Sequence, residues 1–254
     1  MRLPYDLHLH SCLSPCADRE MTPANIAAMC ALKGLRLIAL TDHNSAKNCP
    51  AFLECAAQYE GLTALPGMEL CTEEEIHAIC LFPTLERALA FDAFIYGLLP
   101  PIQNREDIFG TQIIVDANER ILAHEERLLI NAAAISFEEA YAQTLAHGGI
   151  LFPAHIDRPA NGLLSQLGFI PPDSRFACAE VHRLEKAPAI LEANPILRER
   201  CILTNSDAHT LGDIHEPTQF LEVPSCDPFA VLKALDPLFQ GYMQKGTPWI
   251  SPLS

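Results

Sequence analysis

His8 and His10 stand two residues apart at the end of an apolar run that begins at Leu3. In a β-strand alternate side chains share a face, so this pair can grip one ion. Other polar groups follow short apolar runs further along: Thr41-Asp42-His43-Asn44, Glu69, His77, Pro153-Ala154-His155 and Ser206-Asp207-Ala208-His209. Six of the ten histidines fall in these motifs, which makes chance placement a poor explanation. Imidazole and carboxylate donors together suit zinc, manganese or iron. A strand-end His-x-His joined by acids and histidines from other strand ends implies a metal cluster in the mouth of a barrel. That pattern points to a metal-dependent hydrolase.

The elements that must position these groups alternate between strand and helix. Leu3 to Leu9 reads as the first strand, and Thr22-Pro23 opens a helix with a hydroxyl N-cap and proline at its first position. Gly34 closes that helix, and Leu35 to Leu40 leads into Thr41-Asp42-His43. A helix over 47–60 precedes a strand from Leu62 to Leu65, with Glu69 just beyond; Ile76 to Phe82 is another strand and Leu85 to Leu98 another helix. Residues 100–131 look like a hairpin insertion, with strands at Gln112 to Val115 and Ile121 to Leu122. Ser136-Phe137-Glu138-Glu139 forms a capping box for a helix ending near Gly148-Gly149, and Ile150 to Phe152 delivers His155. Further strands fall at 177–181, 201–204 and 219–222, with helical stretches at 186–198 and 227–240. The alternation predicts parallel strands in one barrel-like domain over 1–254, with its site at the C-terminal strand ends. His77 is the exception, one residue into its strand.

Composition narrows the partners. At 254 residues and 49% hydrophobic, the chain can bury one well-packed core. The formal charge of −15 works against a long electrostatic path along nucleic acid, so no stable duplex binding is expected. A small anion remains admissible, because bound metal ions reverse the field locally. The start of the chain does not read as a secretory leader, no Cys-x-x-Cys pair occurs, and no apolar stretch approaches the roughly 18 residues of a membrane span. The expectation is a cytoplasmic protein with reduced thiols and no membrane partner. Cys30, Cys55, Cys80, Cys178 and Cys201 lie in apolar surroundings and read as small buried hydrophobes.

In its motifs the chain resembles the PHP (polymerase and histidinol phosphatase) family over nearly its whole length. Asp6-Leu7-His8-Leu9-His10-Ser11 resembles the first motif, Thr41-Asp42-His43 the second, Pro153-Ala154-His155 the third and Ser206-Asp207-Ala208-His209 the fourth. Pro66-Gly67-Met68-Glu69 and Glu75-Ile76-His77 match the intervening acid and histidine. The resemblance implies a distorted (β/α)7 barrel holding two or three divalent ions, with zinc, manganese or iron as candidates. It implies that His8, His10, Glu69 and Asp207 hold one ion, that Glu69 bridges to a second bound by His77 and His155, and that His43 and His209 hold a third. The family also places a histidine or aspartate shortly after the first motif. Counting back from Thr22-Pro23 selects Asp18; Cys16 is the competitor, and a thiolate there would favour zinc.

The expected reaction is hydrolysis of a phosphate ester, a small phosphomonoester or nucleotide rather than a long polymer. The nucleophile would be a metal-activated water served by Asp207, His209 and Glu69. Arg158 is the phosphate-binding candidate, with an ion pair to Asp157 as its alternative role; His182 and Arg183 either read substrate or decorate a loop. Asp42 either orients a neighbouring imidazole or caps the following turn. His124, His147 and His215 read as structural. Metal-dependent hydrolysis of an amide or lactone is the alternative, but none of Lys33, Lys47 and Lys186 sits where such barrels place a carboxylated lysine. A non-catalytic metal-binding module is the third reading, and it would be expected to have lost ligands.

Overall fold

Local sequence sets the first elements. In the computed structural model, which describes residues 1–239, β1 (Arg2–Leu9) is followed by a loop and then α1 (Pro23–Lys33). The Thr22 hydroxyl caps α1 by accepting from the Asn25 amide at 3.2 Å, and Gly34 ends it at φ 84°. There follow β2 (Leu37–Leu40), α2 (Cys49–Ala56), β3 (Thr63–Cys71), β4 (His77–Leu81), α3 (Leu85–Leu98) and α4 (Glu106–Phe109). Next come β5 (Ile113–Val115), β6 (Ile121–His124), α5 (Phe137–Ala146), β7 (Ile150–Pro153) and α6 (Leu163–Leu167). The chain continues through β8 (Cys178–Glu180), α7 (Ala187–Ala193), β9 (Cys201–Leu203), β10 (Phe220–Glu222) and α8 (Pro228–Leu235). Ser136 and Glu139 form the reciprocal capping box of α5. The helix read over 227–240 ends at Leu235, and residues 240–254 lie outside the described residues.

A six-stranded sheet runs β10-β1-β2-β3-β4-β7, and β8 pairs with β9 in parallel. Two irregular links draw these pieces into a distorted (β/α)7 barrel of β1, β2, β3, β4, β7, β8 and β9. The Ile156 amide donates to the Glu180 carbonyl at 2.9 Å, joining the end of β7 to β8. Beyond β9, Asn205 Oδ1 accepts from the Leu7 amide at 2.8 Å and Ala208 bridges to Leu9, joining that segment to β1. Leu7, Leu37, Ala39, Leu65, Ile79, Leu81 and Phe152 fill the interior with residues of α8, and a second apolar layer lies beneath the outer helices.

The strands are not all parallel. β4 runs antiparallel to both β3 and β7 because only five residues, Thr72 to Ile76, join it to β3, too few for a parallel crossover. That reversal explains His77: an antiparallel strand begins at the mouth, so its first residue lies there, opposite Cys71. β3 also runs further than the sequence indicated. Pro66-Gly67 reads as a stop, yet Pro66 pairs with Leu40 of β2 and Gly67 with Leu81 of β4, so the strand changes partner and carries Glu69 within it. Between α3 and α5, β5 and β6 pair antiparallel in their own two-stranded sheet. Cys201 departs from the buried reading given to the other four apolar-flanked cysteines. It opens β9 and is exposed, while Cys30, Cys55, Cys80 and Cys178 are buried. Among the described residues no helix is long and apolar enough to cross a membrane.

A Cβ at Gly67 would stand 2.5 Å from the Cys80 carbonyl oxygen, where β3 and β4 approach. Gly67→Ala is therefore expected to destabilise the fold by about 1–3 kcal/mol, read as a lowered thermal midpoint; an unchanged midpoint would contradict this close approach.

Candidate metal centre

Glu69 faces the barrel mouth at 1% exposure, with its backbone held on both sides by the segment after β2. Its amide donates to the Asp42 carbonyl at 3.0 Å, and its carbonyl accepts from the Asn44 amide at 2.9 Å. Five imidazoles surround its carboxylate: His43 Nδ1 at 2.9 Å, His77 Nδ1 at 2.9 Å, His155 Nε2 at 3.0 Å, His8 Nε2 at 3.2 Å and His10 Nε2 at 3.4 Å. Asp207 Oδ1 lies 3.2 Å from His8 Nε2 and 3.1 Å from His10 Nε2. The His209 ring stacks on His10 with centroids 4.3 Å apart. The eight residues come from six segments of the chain, with His8 and His10 sharing one and Asp207 and His209 another, and they meet at the barrel mouth.

Three histidines have their tautomers fixed from behind. His8 Nδ1 faces Glu180 Oε2 at 3.1 Å, so it donates and leaves the Nε2 lone pair toward the cluster. The Ser14 hydroxyl gives its one hydrogen to Asp42 Oδ1 at 2.7 Å, so it must accept from His10 Nδ1 at 3.0 Å. His209 Nδ1 donates to the Asp207 carbonyl at 2.8 Å. Asp42 therefore orients His10 through Ser14, and it also accepts from the amide and hydroxyl of Ser11 at 2.7 and 2.6 Å.

The donor atoms point inward with too few hydrogens among them. His43 Nδ1, Glu69 Oε2 and Asp207 Oδ1 are buried without a hydrogen-bond partner, although each lies close to another ligand atom. Converging lone pairs of this kind fit a cation. Three sets of side chains have ligand atoms within 4.8 Å of one another: His8, His10, Glu69 and Asp207; His43, Glu69 and His77; and His10, His43 and His209. Burial raises the Glu69 carboxyl, but the charges of His77, His8 and His43 overcome this and hold it well below the usual range. Burial, with His209 and His43 alongside, keeps the His10 imidazole well below the ordinary histidine value, so His10 is neutral near pH 7.

Two members of the cluster hold strained backbone. His155 has φ 24° and Asp207 φ 53°, in the left-handed region that ordinary side chains avoid. Ordered contacts maintain both. The His155 amide donates to Glu180 Oε1 at 3.1 Å, and the Ser206 amide beside Asp207 donates to Asp6 Oδ1 at 3.1 Å.

Other expectations fare unevenly. Asp18 lies apart from the cluster: it is exposed, and its carboxylate accepts from the Glu20 amide at 3.1 Å. Cys16 is exposed as well and belongs to none of these sets; desolvation pushes its thiol up, but the His209 and His43 imidazoles outweigh this and bring it to about 6. Arg158 does not pair with Asp157. Its Nη1 lies 2.6 Å from Asp207 Oδ2 and its Nη2 3.4 Å from His182 Nδ1, while Asp157 accepts from the His182 and Arg183 amides. Arg183 itself is exposed. His124, His147 and His215 stay outside the cluster; His147 Nδ1 donates to the Gln143 carbonyl at 2.8 Å. Glu180 and Asn205 were missed from the sequence. Glu180 is 1% exposed and accepts from His8, from the His155 amide and from Asn205 Nδ2 at 2.7 Å. The available signal was its place at the end of the apolar run that precedes His182.

A curled barrel with a buried carboxylate–imidazole cluster at its mouth defines the class of fold. The PHP domain model matches residues 6–147, more than half of the chain, and the chain belongs to that family. His155, Glu180, Asp207 and His209 lie beyond the matched residues, and their part in the cluster rests on geometry. No curated protein matches. Among solved structures, the lesion-specific endonuclease PfuEndoQ from Pyrococcus furiosus superposes with a TM-score of 0.66 at 19% identity, covering 94% of this chain and 56% of that one. Endonuclease Q in complex with a 27-mer duplex carrying an abasic lesion gives 0.65 at 18% identity, covering 92% and 56%. The chain thus spans a little over half the length of these endonucleases. A protein provisionally assigned as a metal-dependent phosphoesterase, from Bifidobacterium adolescentis, gives 0.54 at 16% identity, covering 91% and 96%.

Because Glu180 fixes the His8 ring, Glu180→Gln places an amide N–H where a carboxylate oxygen accepted. Divalent-ion affinity, measured by calorimetric titration of stripped protein, is expected to fall about 10- to 100-fold. Unchanged affinity would remove Glu180 from the centre.

Proposed function

We propose that this chain is a metal-dependent phosphoesterase acting on a small phosphomonoester or nucleotide. The observation that carries the reading is the Glu69-centred cluster, in which seven acids and histidines, with His155 alongside, converge from six segments of the chain and leave orphaned lone pairs beside an arginine. Family membership and the fold shared with a phosphoesterase-assigned protein support it. Divalent ions held by His8, His10, Glu69 and Asp207, and by His43, Glu69 and His77, with His155 alongside, would neutralise phosphoryl charge and make water a better nucleophile near neutral pH. In this reading Asp207 and Glu69 set the charge of the centre and His209 stands at its open side, 27% exposed, able to hold a proton near the leaving group.

Substrate recognition falls to Arg158. Its guanidinium bridges Asp207 and His182, and the residue lines a cleft of about 570 Å³ together with Lys186, Ile156, Leu164 and Ile190. A phosphoryl group at the cluster would place its organic part along that cleft, whose size suits a small ligand. His182 supports Arg158; exposed Arg183 would meet only a larger substrate.

Two points bear on the competing readings. Among the described residues no lysine joins the cluster: Lys33 pairs with Glu216 and Lys47 with Glu125, and Lys186 lines the cleft. This disfavours the carboxylated-lysine centre of amide and lactone hydrolases. Nucleic acid is harder to set aside. The charge of −15 argues against duplex DNA, yet endonuclease Q of the same fold takes a duplex at its active site, so oligonucleotides belong among the substrates tested.

Protein stripped of metal and reloaded with zinc or manganese is expected to release phosphate from members of a panel of sugar phosphates, nucleotides and short oligonucleotides. Asp207→Asn should abolish turnover while the protein stays folded. No release across the panel with metal bound would contradict the proposal. Arg158→Ala should cost on the order of 1.5–3 kcal/mol in transition-state binding, or roughly ten- to hundredfold in kcat/KM. An unchanged kcat/KM would remove Arg158 from the substrate site.

A further inference from the structure

We propose that Cys178 and Cys201 form a redox-active thiol pair at the base of the barrel, in which a hydroperoxide oxidises the exposed Cys201 and the buried Cys178 then closes a disulfide to it.

The two residues open neighbouring strands. β8 and β9 run in parallel, and Cys178 stands directly opposite Cys201, with Ala179 opposite Ile202 and Glu180 opposite Leu203. The Cys201 amide holds the ladder at this end by donating to the Ala177 carbonyl at 2.9 Å. Residues opposed on adjacent strands put their side chains on one face, with Cα atoms about 4.8 Å apart. A disulfide spans Cα separations of roughly 4.4–6.8 Å, so this pair can be bridged with the strands in place. Burial agrees on the face: Cys178 and Leu203 belong to the apolar interior of the barrel, and Ala179 to the layer beneath the helices. The cysteines of the large sheet have no such partner, since Cys71 is opposite His77 and Cys80 is opposite Met68 and Leu151.

The two thiols differ in access. Cys178 is buried and donates to the Leu235 carbonyl, at the end of α8, at 2.9 Å. Cys201 is exposed and lines a cleft of about 430 Å³ with Arg175, Glu199, Arg200, Leu235 and Asp236, which gives a small oxidant a way in. Both cysteines begin strands whose far ends carry Glu180 and lead to Asp207, so the pair lies at the end of the barrel away from the metal centre and depends on no ion. The Cys201 thiol lies below its ordinary value and the Cys178 thiol well above it, each chiefly because of the other, so Cys201 is the one that ionises first.

The chemistry needs only the hydroperoxide as co-reactant. The Cys201 thiolate attacks the distal peroxide oxygen, the O–O bond breaks, and the departing alkoxide takes up the proton the thiol has lost; Cys201 is left as a sulfenic acid. The Cys178 sulfur then attacks the Cys201 sulfur, the S–O bond breaks, and hydroxide leaves as water with the Cys178 proton. Two thiols lose two electrons, and the hydroperoxide is reduced to an alcohol and water. Cys178 gives up its hydrogen bond to Leu235 in this step, so oxidation ties β8 to β9 and releases the end of α8.

Reduced full-length protein treated with hydrogen peroxide, its free thiols then blocked, is digested with trypsin and read by mass spectrometry. Peptides 176–183 and 201–233 should be joined by a bond that dithiothreitol cleaves. The second peptide also holds Cys226, so the same link in Cys226→Ser assigns the bond to Cys201. In Cys178→Ser the sulfenic acid should persist on Cys201 and be trapped by dimedone, and in Cys201→Ser no link should form. Before oxidation, iodoacetamide should label Cys201 of the wild-type protein ahead of Cys178, which needs no variant. No link in the oxidised wild type, a link that disappears in Cys226→Ser, or labelling of Cys178 ahead of Cys201 would overturn the proposal.

Discussion

Glu69 is a nearly inaccessible carboxylate with imidazoles of His8, His10, His43, His77 and His155 within 3.4 Å, and the arrangement of the mouth depends on satisfying it. A carboxylate taken from water costs several kcal/mol unless positive charge and hydrogen bonds surround it. Neutral imidazoles offer one N–H each, and two of these rings, His8 and His10, direct theirs to Glu180 and Ser14 and leave lone pairs facing the acid. Protonated histidines can compensate in part, but burial first, and then the neighbouring His209 and His43, work against a charged His10. Divalent cations resolve both problems at once by meeting carboxylate and imidazole lone pairs together.

Around that core the chain fixes orientation rather than adding further ligands. Glu180 holds His8 and the strained backbone of His155 with the same carboxylate, and Asn205 joins it to the Leu7 amide of β1. Asp42 holds Ser11 and Ser14, and through Ser14 the ring of His10. These are links between strands that the regular ladder leaves unpaired. The hydrogen bonds that orient the ligands are thus some of those that close the barrel, so the site and the fold share their supports.

The amino-acid pattern made the clustered residues legible because all but His77, which opens its strand, lie at or shortly after the end of an apolar run, and strand periodicity needs no tertiary knowledge. His77 and Glu69 were read at the right positions, but not the strands that carry them. The partner change at Pro66-Gly67 and the reversal of β4 depend on which strands become neighbours, which local propensity does not encode. Spacing and ligand hardness favour Asp18 over Cys16, but both are exposed on a loop whose path is set by contacts from His209 and Gly110, about 190 and 95 residues further along. Glu180 escaped notice because a lone acid at a strand end has no motif of its own.

Crystals of the protein soaked in zinc or manganese, with anomalous-difference maps recorded at the metal edge, test the central claim most directly. The account predicts peaks on both sides of Glu69, one among His8, His10 and Asp207 and another beside His43 and His77. Maps with full soaks but no peak touching Glu69 would contradict it, and would make the buried carboxylate and its histidines a structural ion-pair network instead.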